Sequence, residues 1–256
     1  MLKKFIINKS LAFFFISLNL LADENASKLL ISYPDFLKSY SDNNIIWNDE
    51  EKMIYDDKKE EKSFKDKLNN ASLKDQLSIK YLKINENKNH IPVENEDAGR
   101  IRYEPFFKKM YGENKNKVKD NLVKIVWLPK SSNKNLWVSK INNIDKKLIA
   151  ISDEIENLPS EIKAFALHPS GVFNYRKISN TNRLSVHSFG IAIDLNVKDS
   201  HYWIWDKAKG NMKYKNKIPF EIVEIFEKHG FIWGGRWYHY DTMHFEYRPE
   251  LFHPSA

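Results

Sequence analysis

The sequence contains no cysteine. That excludes a disulfide scaffold, a thiol nucleophile, cysteine-ligated zinc fingers, iron–sulfur centres and a lipidated N-terminal cysteine, and says nothing against an oxidising compartment. Glycine is scarce, eight in 256 residues, which disfavours glycine-rich nucleotide-binding folds. Arginine is scarcer still for a basic chain: only six of the 41 Lys and Arg, namely Arg100, Arg102, Arg176, Arg183, Arg236 and Arg248. The abundance of Lys and Asn reads as a general coding bias, so the formal charge of +7 is weak evidence for a nucleic-acid partner. No basic stretch interleaved with aromatics supports one either. Against this lysine background each arginine stands out as a candidate for a planar, bidentate contact. A long apolar run is missing everywhere beyond residue 22, so no further membrane span is expected. What is present is enough for a core, with 42% hydrophobic and 14% aromatic residues. Wholesale disorder is excluded, and the length suits one sizeable domain or a main domain with a small appendage.

Residues 1–22 have the layout of a secretory signal. Lys3, Lys4 and Lys9 make a positive start, Leu11 to Leu21 form an apolar run broken by Ser17 and Asn19, and acidic residues begin at Asp23. The run is short for a bilayer span, which takes about 20 apolar residues. The expectation is export across the inner membrane with cleavage after Ala22, to a periplasmic location; an uncleaved anchor is the alternative. Removal of the segment leaves 38 basic against 34 acidic residues, a net charge of +4.

The remaining chain divides near residue 99, into an N-terminal region of unknown role (23–99) and a main domain (100–256). Ile45-Ile46-Trp47 and Met53-Ile54-Tyr55 flank a charged turn and predict a hairpin. Ala71 to Leu82 reads as a helix, and Asn85 to Gly99 as a linker or a strapped-down loop. Asn121 to Leu128, rich in β-branched and aromatic residues, predicts a strand. Ile141, Ile144, Leu148, Ile151, Ile155 and Leu158 recur at steps of three and four and predict a core-facing helix of about five turns stopped by Pro159. Lys163 to Leu167 reads as a strand. Pro219 to His229 reads as a helix closed by Gly230, with Ile222, Ile225 and Phe226 buried.

Chemistry concentrates in two segments. In the first, Ile191, Ile193 and Leu195 alternate with Ala192, Asp194 and Asn196, a strand with one apolar and one polar face. Asp194 stands on the polar face beside the small Ala192. His187 lies seven residues earlier, and Gly190 offers the bend that folds it back over Asp194. In the second, Met243, Phe245 and Tyr247 alternate with His244 and Glu246. If the two strands pair, Asp194 and His244 share a face with His187 above them. Two imidazoles and one carboxylate suit Zn2+ with an open fourth position for water. Asp241, at the strand's entry, is placed to take a proton from that water and return it to a leaving amine. Glu246 is a candidate for orienting a metal-bound histidine. A single histidine on a strand is usually structural, and His90, His168, His201, His229 and His253 are read that way; His239, flanking the site, is intermediate.

Ser185-x-His187-x-x-Gly190-x-Ala192-x-Asp194, followed by Trp-Gly-Gly-x-Trp and Asp241-x-x-His244-Phe-Glu, resembles the M15 (VanY-like) zinc peptidases, the D-alanyl-D-alanine carboxypeptidase group, which includes L-alanyl-D-glutamate endopeptidases. The resemblance covers about residues 160–249. It implies an α+β fold, an antiparallel sheet with packed helices of the hedgehog and DD-peptidase kind. It also implies zinc on His187, Asp194 and His244, and Asp241 as the base. Many members carry glutamate at that place, and the aspartate is similar to the endopeptidase branch. The family's upstream Gly-Tyr-Arg element is matched by Gly171-Val-Phe-Asn-Tyr175-Arg176, with three extra residues. Arg176 is therefore the first choice to hold the oxyanion, and Arg183 its competitor. Arg183, Ser185 and Trp237 are candidate substrate contacts, and Trp203 and Trp205 candidate cleft walls.

Export and this chemistry together point to peptidoglycan stem peptides as substrate. A D,D-carboxypeptidase and an L-Ala-D-Glu-type endopeptidase are both open, and a non-catalytic cell-wall binding or morphogenesis module on the same fold is the remaining alternative. Retention of Asp241 beside a complete ligand set favours an enzyme.

Overall fold

The computed structural model describes residues 23–59, 61–210 and 212–252. The secretory signal expected at 1–22 and His253 lie outside the described residues.

Among the described residues the chain is α+β, with three small antiparallel sheets where a single sheet was expected. Helix α1 (Glu24–Ser32) opens it, capped by the Asp23 side chain, and leads into strands β1 (Leu37–Ser41), β2 (Asn44–Trp47) and β3 (Lys52–Ile54). The β2–β3 hairpin forms as its sequence predicts, with Ile45 opposite Met53, and β1 adds a third strand. A short helix α2 (Phe64–Asn69) follows. The helix expected over 71–82 is reduced to a single 3-10 turn, Asp75–Leu77. Ser72 and Asp75 exchange side-chain and backbone hydrogen bonds there, 2.8 Å from the Ser72 N–H to Asp75 Oδ2 and 3.1 Å from the Asp75 N–H to Ser72 Oγ. Such local bonds compete with a helical ladder.

Residues 85–99 take no regular structure and are strapped onto the body. The buried Arg236 guanidinium donates to the carbonyls of Lys83, Asn87 and His90, and the Tyr238 N–H donates to the Glu96 carbonyl. Helices α3 (Glu104–Tyr111) and α4 (Lys115–Asp120) lead to a hairpin of β4 (Leu122–Trp127) and β5 (Lys134–Ser139). Helix α5 (Ile144–Glu156) is shorter than the apolar repeat suggests. Asn142 and Asn143 both take left-handed backbone conformations just before it, which ends the repeat's N-terminal turn. The strand expected at 163–167 is instead helical, α6 (Ser160–Lys163) running into a 3-10 turn at Ala164–Ala166. Pro159 is its N-cap residue, and Lys-Ala-Phe-Ala favours helix where no strand lies alongside to pair.

The third sheet carries the chemistry. It has the order β6 (Ala192–Asp194), β8 (His244–Tyr247), β7 (Phe231–Trp233), all antiparallel. Helix α7 (Trp203–Ala208) lies in the chain between β6 and β7. Helix α8 (Phe220–Lys228), with Pro219 as N-cap residue and Gly230 beyond its end, lies against the sheet. Phe226 of α8 stacks on Phe245 of β8 at 4.0 Å between centroids. Among the described residues no helix is long and apolar enough to cross a membrane.

The apolar core runs from Ala26 to Leu251, so residues on both sides of position 99 share it. A buried polar chain ties the two regions further. Arg248 bonds Glu246 at 2.9 Å and Glu250 at 2.6 Å, and Glu250 accepts from the Tyr33 hydroxyl at 2.6 Å and from Gln76 at 3.2 Å. Both arginine and carboxylates are fully buried there. Removing one partner of such a pair strands a buried charge at a cost of about 3–5 kcal/mol. Arg248→Met is therefore expected to lose about that much stability in urea denaturation; an unshifted midpoint would show that the pairs carry no net weight.

Candidate metal centre

Strand pairing brings the ligands together as the alternation predicts. In the β6–β8 register Asp194 lies opposite His244 and Ala192 opposite Glu246. The room left by the small Ala192 side chain is thus next to a buried glutamate. His187 reaches the same point from a 3-10 turn, Val186–Phe189, rather than from a strand. Gly190 ends that turn in the left-handed conformation, φ 68°. A Cβ there would stand 2.7 Å from Leu122 Cδ2, so both conformation and packing demand glycine.

Hydrogen bonds fix both imidazole tautomers. His187 Nδ1 lies 2.8 Å from the Val172 carbonyl. A carbonyl only accepts, so Nδ1 carries the ring hydrogen and Nε2 keeps its lone pair. His244 Nε2 lies 3.0 Å from Glu246 Oε2, which leaves the lone pair on Nδ1. The sequence-predicted role of Glu246 is therefore the geometry observed.

Both free lone pairs meet Asp194 Oδ1. It is 3.2 Å from His187 Nε2 and 2.9 Å from His244 Nδ1, and the two nitrogens are 3.3 Å apart. Ligands ~2.0–2.1 Å from a tetrahedral ion stand ~3.3 Å from one another, so these atoms are spaced as three corners of such a site. Three acceptors facing one another repel unless a cation lies among them. The same field acts on protons. A proton on His244 Nδ1 is itself such a cation: burial alone would lower the pKa of His244, but the hydrogen bonds that its protonated ring donates to Asp194 and Glu246 outweigh it and push it up to about 10. Burial would likewise raise Asp194, yet the two imidazoles hold its carboxyl well below the usual range. His187, Asp194 and His244 thus form a group able to hold a metal ion, and the donor set of two imidazoles and one carboxylate fits zinc.

Asp241 lies on the same cleft. Its Oδ1 is buried and has no hydrogen-bond partner among the described residues. Burial first, and then the negative charge of Asp194, push its pKa up to about 7. The Gly-Gly turn before it sets its position. The Asp241 N–H donates to the Gly234 carbonyl at 3.0 Å, and a Cβ on Gly235 would come within 2.1 Å of the Trp233 ring.

The cleft has a cavity volume of about 130 Å³ and is open to solvent. Arg176, Arg183, Ser185 and Trp237 all line it, as does Trp203, whereas Trp205 stands outside on the exposed surface. Arg176 and Arg183 sit on one hairpin, joined by the Lys177–Leu184 bridge and the bond from the Ser185 N–H to the Arg176 carbonyl. They therefore face the cleft together. Trp237 packs against the His244 ring at 5.4 Å.

Sequence reasoning did not assign Arg100, Arg102 or Tyr202 to the site, yet they line the same cleft. It also left His239 undecided. His239 lines the cleft with its Nδ1 bonded to Asp97 at 2.8 Å and its ring edge-on to Trp203 at 4.6 Å. The rarity of arginine was the one signal that singled out Arg100 and Arg102.

Loss of a partner that orients a metal-bound histidine typically costs 10–100-fold in metal affinity. Glu246→Gln is expected to weaken zinc binding by about that factor in chelator competition, and His187→Ala to remove stoichiometric binding. Equal retention of zinc by both variants would exclude this centre.

Residues 179–247 match the family model described as D-alanyl-D-alanine carboxypeptidase. No curated protein and no solved structure matches the chain. The matched segment holds His187, Asp194, His244 and Asp241, and leaves Arg176 outside it. Over that segment the chain is similar to the M15 family of peptidases.

Proposed function

We propose that this protein is an exported, zinc-dependent peptidase that hydrolyses peptide bonds in peptidoglycan stem peptides, of the D-Ala-D-Ala carboxypeptidase type, on a fold of the DD-peptidase kind. One observation carries the reading: two tautomer-locked imidazoles and a carboxylate converge beside the unpartnered carboxylate oxygen of Asp241. Residues 1–22 supply the export signal and the periplasm the site of action.

A divalent ion on His187, Asp194 and His244 supplies positive charge for water activation and carbonyl polarisation. The chain's own residues do the rest. Val172 and Glu246 hold the two rings, so the ligands need no reorganisation. Asp241 accepts the proton of the attacking water as the carbon–oxygen bond forms, then delivers it to the amine nitrogen as the carbon–nitrogen bond breaks. A carboxylate with a pKa near neutrality is matched to both halves of that transfer. Arg176, exposed at the cleft rim and with no hydrogen-bond partner for its guanidinium among the described residues, is free to hold the oxyanion.

The aspartate at 241, where many relatives have glutamate, supports an internal cut of the L-Ala-D-Glu type as the second reading. Digestion of purified stem peptides followed by mass spectrometry separates the two. The expected result is loss of the terminal D-alanine, abolished by chelator and reduced by about 10²–10⁴ in Asp241→Ala. An internal cut with the same dependence selects the second reading, and no cleavage by the folded, zinc-loaded protein leaves only a binding module.

A further inference from the structure

Four of the chain's six arginines line one cleft: Arg100, Arg102, Arg176 and Arg183. The other two serve the fold, Arg236 on backbone carbonyls and Arg248 between two glutamates. Among the cleft arginines, Arg102 is also committed. It is deeply buried, donates to the Gly99 and Leu184 carbonyls, and has Glu246 at 4.0 Å.

Arg100 and Arg183 are under-partnered. Arg183 donates one bond, 3.3 Å to the Arg100 carbonyl, while its Nε is buried with no partner among the described residues. Glu104, whose charge acts on it, already accepts from the Leu184 N–H at 2.9 Å and from Lys108 at 2.6 Å. Arg100 touches Asp97 only at 3.5 Å. Both oxygens of that carboxylate are taken by His239, through its N–H at 3.0 Å and its Nδ1 at 2.8 Å. The Arg100 guanidinium lies over the Trp237 ring, 6.0 Å from its centroid. Two planar donor forks are thus held side by side, partly out of water, with more N–H groups than acceptors. A buried cation without a counter-charge is costly, and the group whose geometry matches such forks is a carboxylate.

We propose that Arg100 and Arg183 form a clamp for a substrate carboxylate beside the metal centre and thereby set specificity; this rests on reading the cleft as the peptidase site. Arg100 directly follows the strapped segment and lies outside the family-matched residues, so chain N-terminal to the matched residues supplies half of the clamp. In a stem peptide such a carboxylate comes from the C-terminus or from the α-carboxylate of a γ-linked D-glutamate.

The test uses the full protein and the peptide L-Ala-γ-D-Glu-L-Lys-D-Ala-D-Ala in three forms: unmodified, carboxamide at the C-terminus, and carboxamide at the glutamate α-carboxylate. One of the two amidations is expected to lower kcat/KM by about 10- to 100-fold, the span of a hydrogen bond to a charged group. Which one does so names the source. Arg100→Gln and Arg183→Gln are expected to reduce that ratio to within about twofold, and Arg183→Lys, which keeps the charge and loses the fork, to reduce it in part. A structural role would lower all three peptides equally and leave the ratio intact. Calorimetric binding of the same peptides to Asp241→Asn protein gives a second readout. Cleavage without discrimination, or an unchanged ratio in both glutamine variants, overturns the clamp while the peptidase reading stands. Arginine-dependent preference in binding, with no cleavage by the unmodified protein, keeps the clamp and overturns the peptidase reading.

Discussion

Lone pairs that face one another at about 3 Å repel, and a fold that holds three of them together must supply something to offset that repulsion. Here the convergence of His187 Nε2, His244 Nδ1 and Asp194 Oδ1 makes a group able to hold a cation, and the structure around it keeps each atom in place. Val172 pins one ring. Glu246 pins the other and is itself held by Arg248, which bonds Glu250, which accepts from Tyr33. The chain of buried charges thus runs from the metal ligands to the first helix. Each charge in it is tolerable only because the next one neutralises it.

That coupling explains why the sheet is buried on both faces. Alternation along β8 predicts one apolar and one polar side, and the polar side indeed holds His244 and Glu246. All four residues of the strand are nevertheless buried. The apolar face packs on α8, and the polar face lies under Gly99, Arg102 and Arg248, which cover Glu246. Low exposure is what gives the polar face its chemistry. It lifts Asp241 toward neutrality, and it makes both rings dependent on their hydrogen-bond partners.

The same segment that covers the polar face also furnishes the cleft. Asp97, fully buried, binds both His239 and the edge of Arg100, so one carboxylate sets two cleft side chains. The strapped loop is held mostly through carbonyls, by Arg236 and Trp237. Such bonds use backbone acceptors that every residue offers, and so leave no mark in the side-chain pattern.

The sequence by itself determined which side chains meet at the candidate metal site and the pairing of their strands, because a period of two puts Asp194 and His244 on one face and a glycine bend returns His187 to them. It determined the β2–β3 hairpin, the β4 strand and the cores of α5 and α8 for the same reason: each rests on local periodicity and caps. It misjudged 71–82 and 163–167, where short apolar runs fit either period and side-chain bonds or the absence of a neighbouring strand decided the outcome. Only the tertiary structure decided that Arg100, Arg102 and Asp97 belong to the cleft. They lie 85 to 90 residues before His187, and no spacing rule spans that distance. What joins them is the folding of an irregular strap over a charged face that had to be covered.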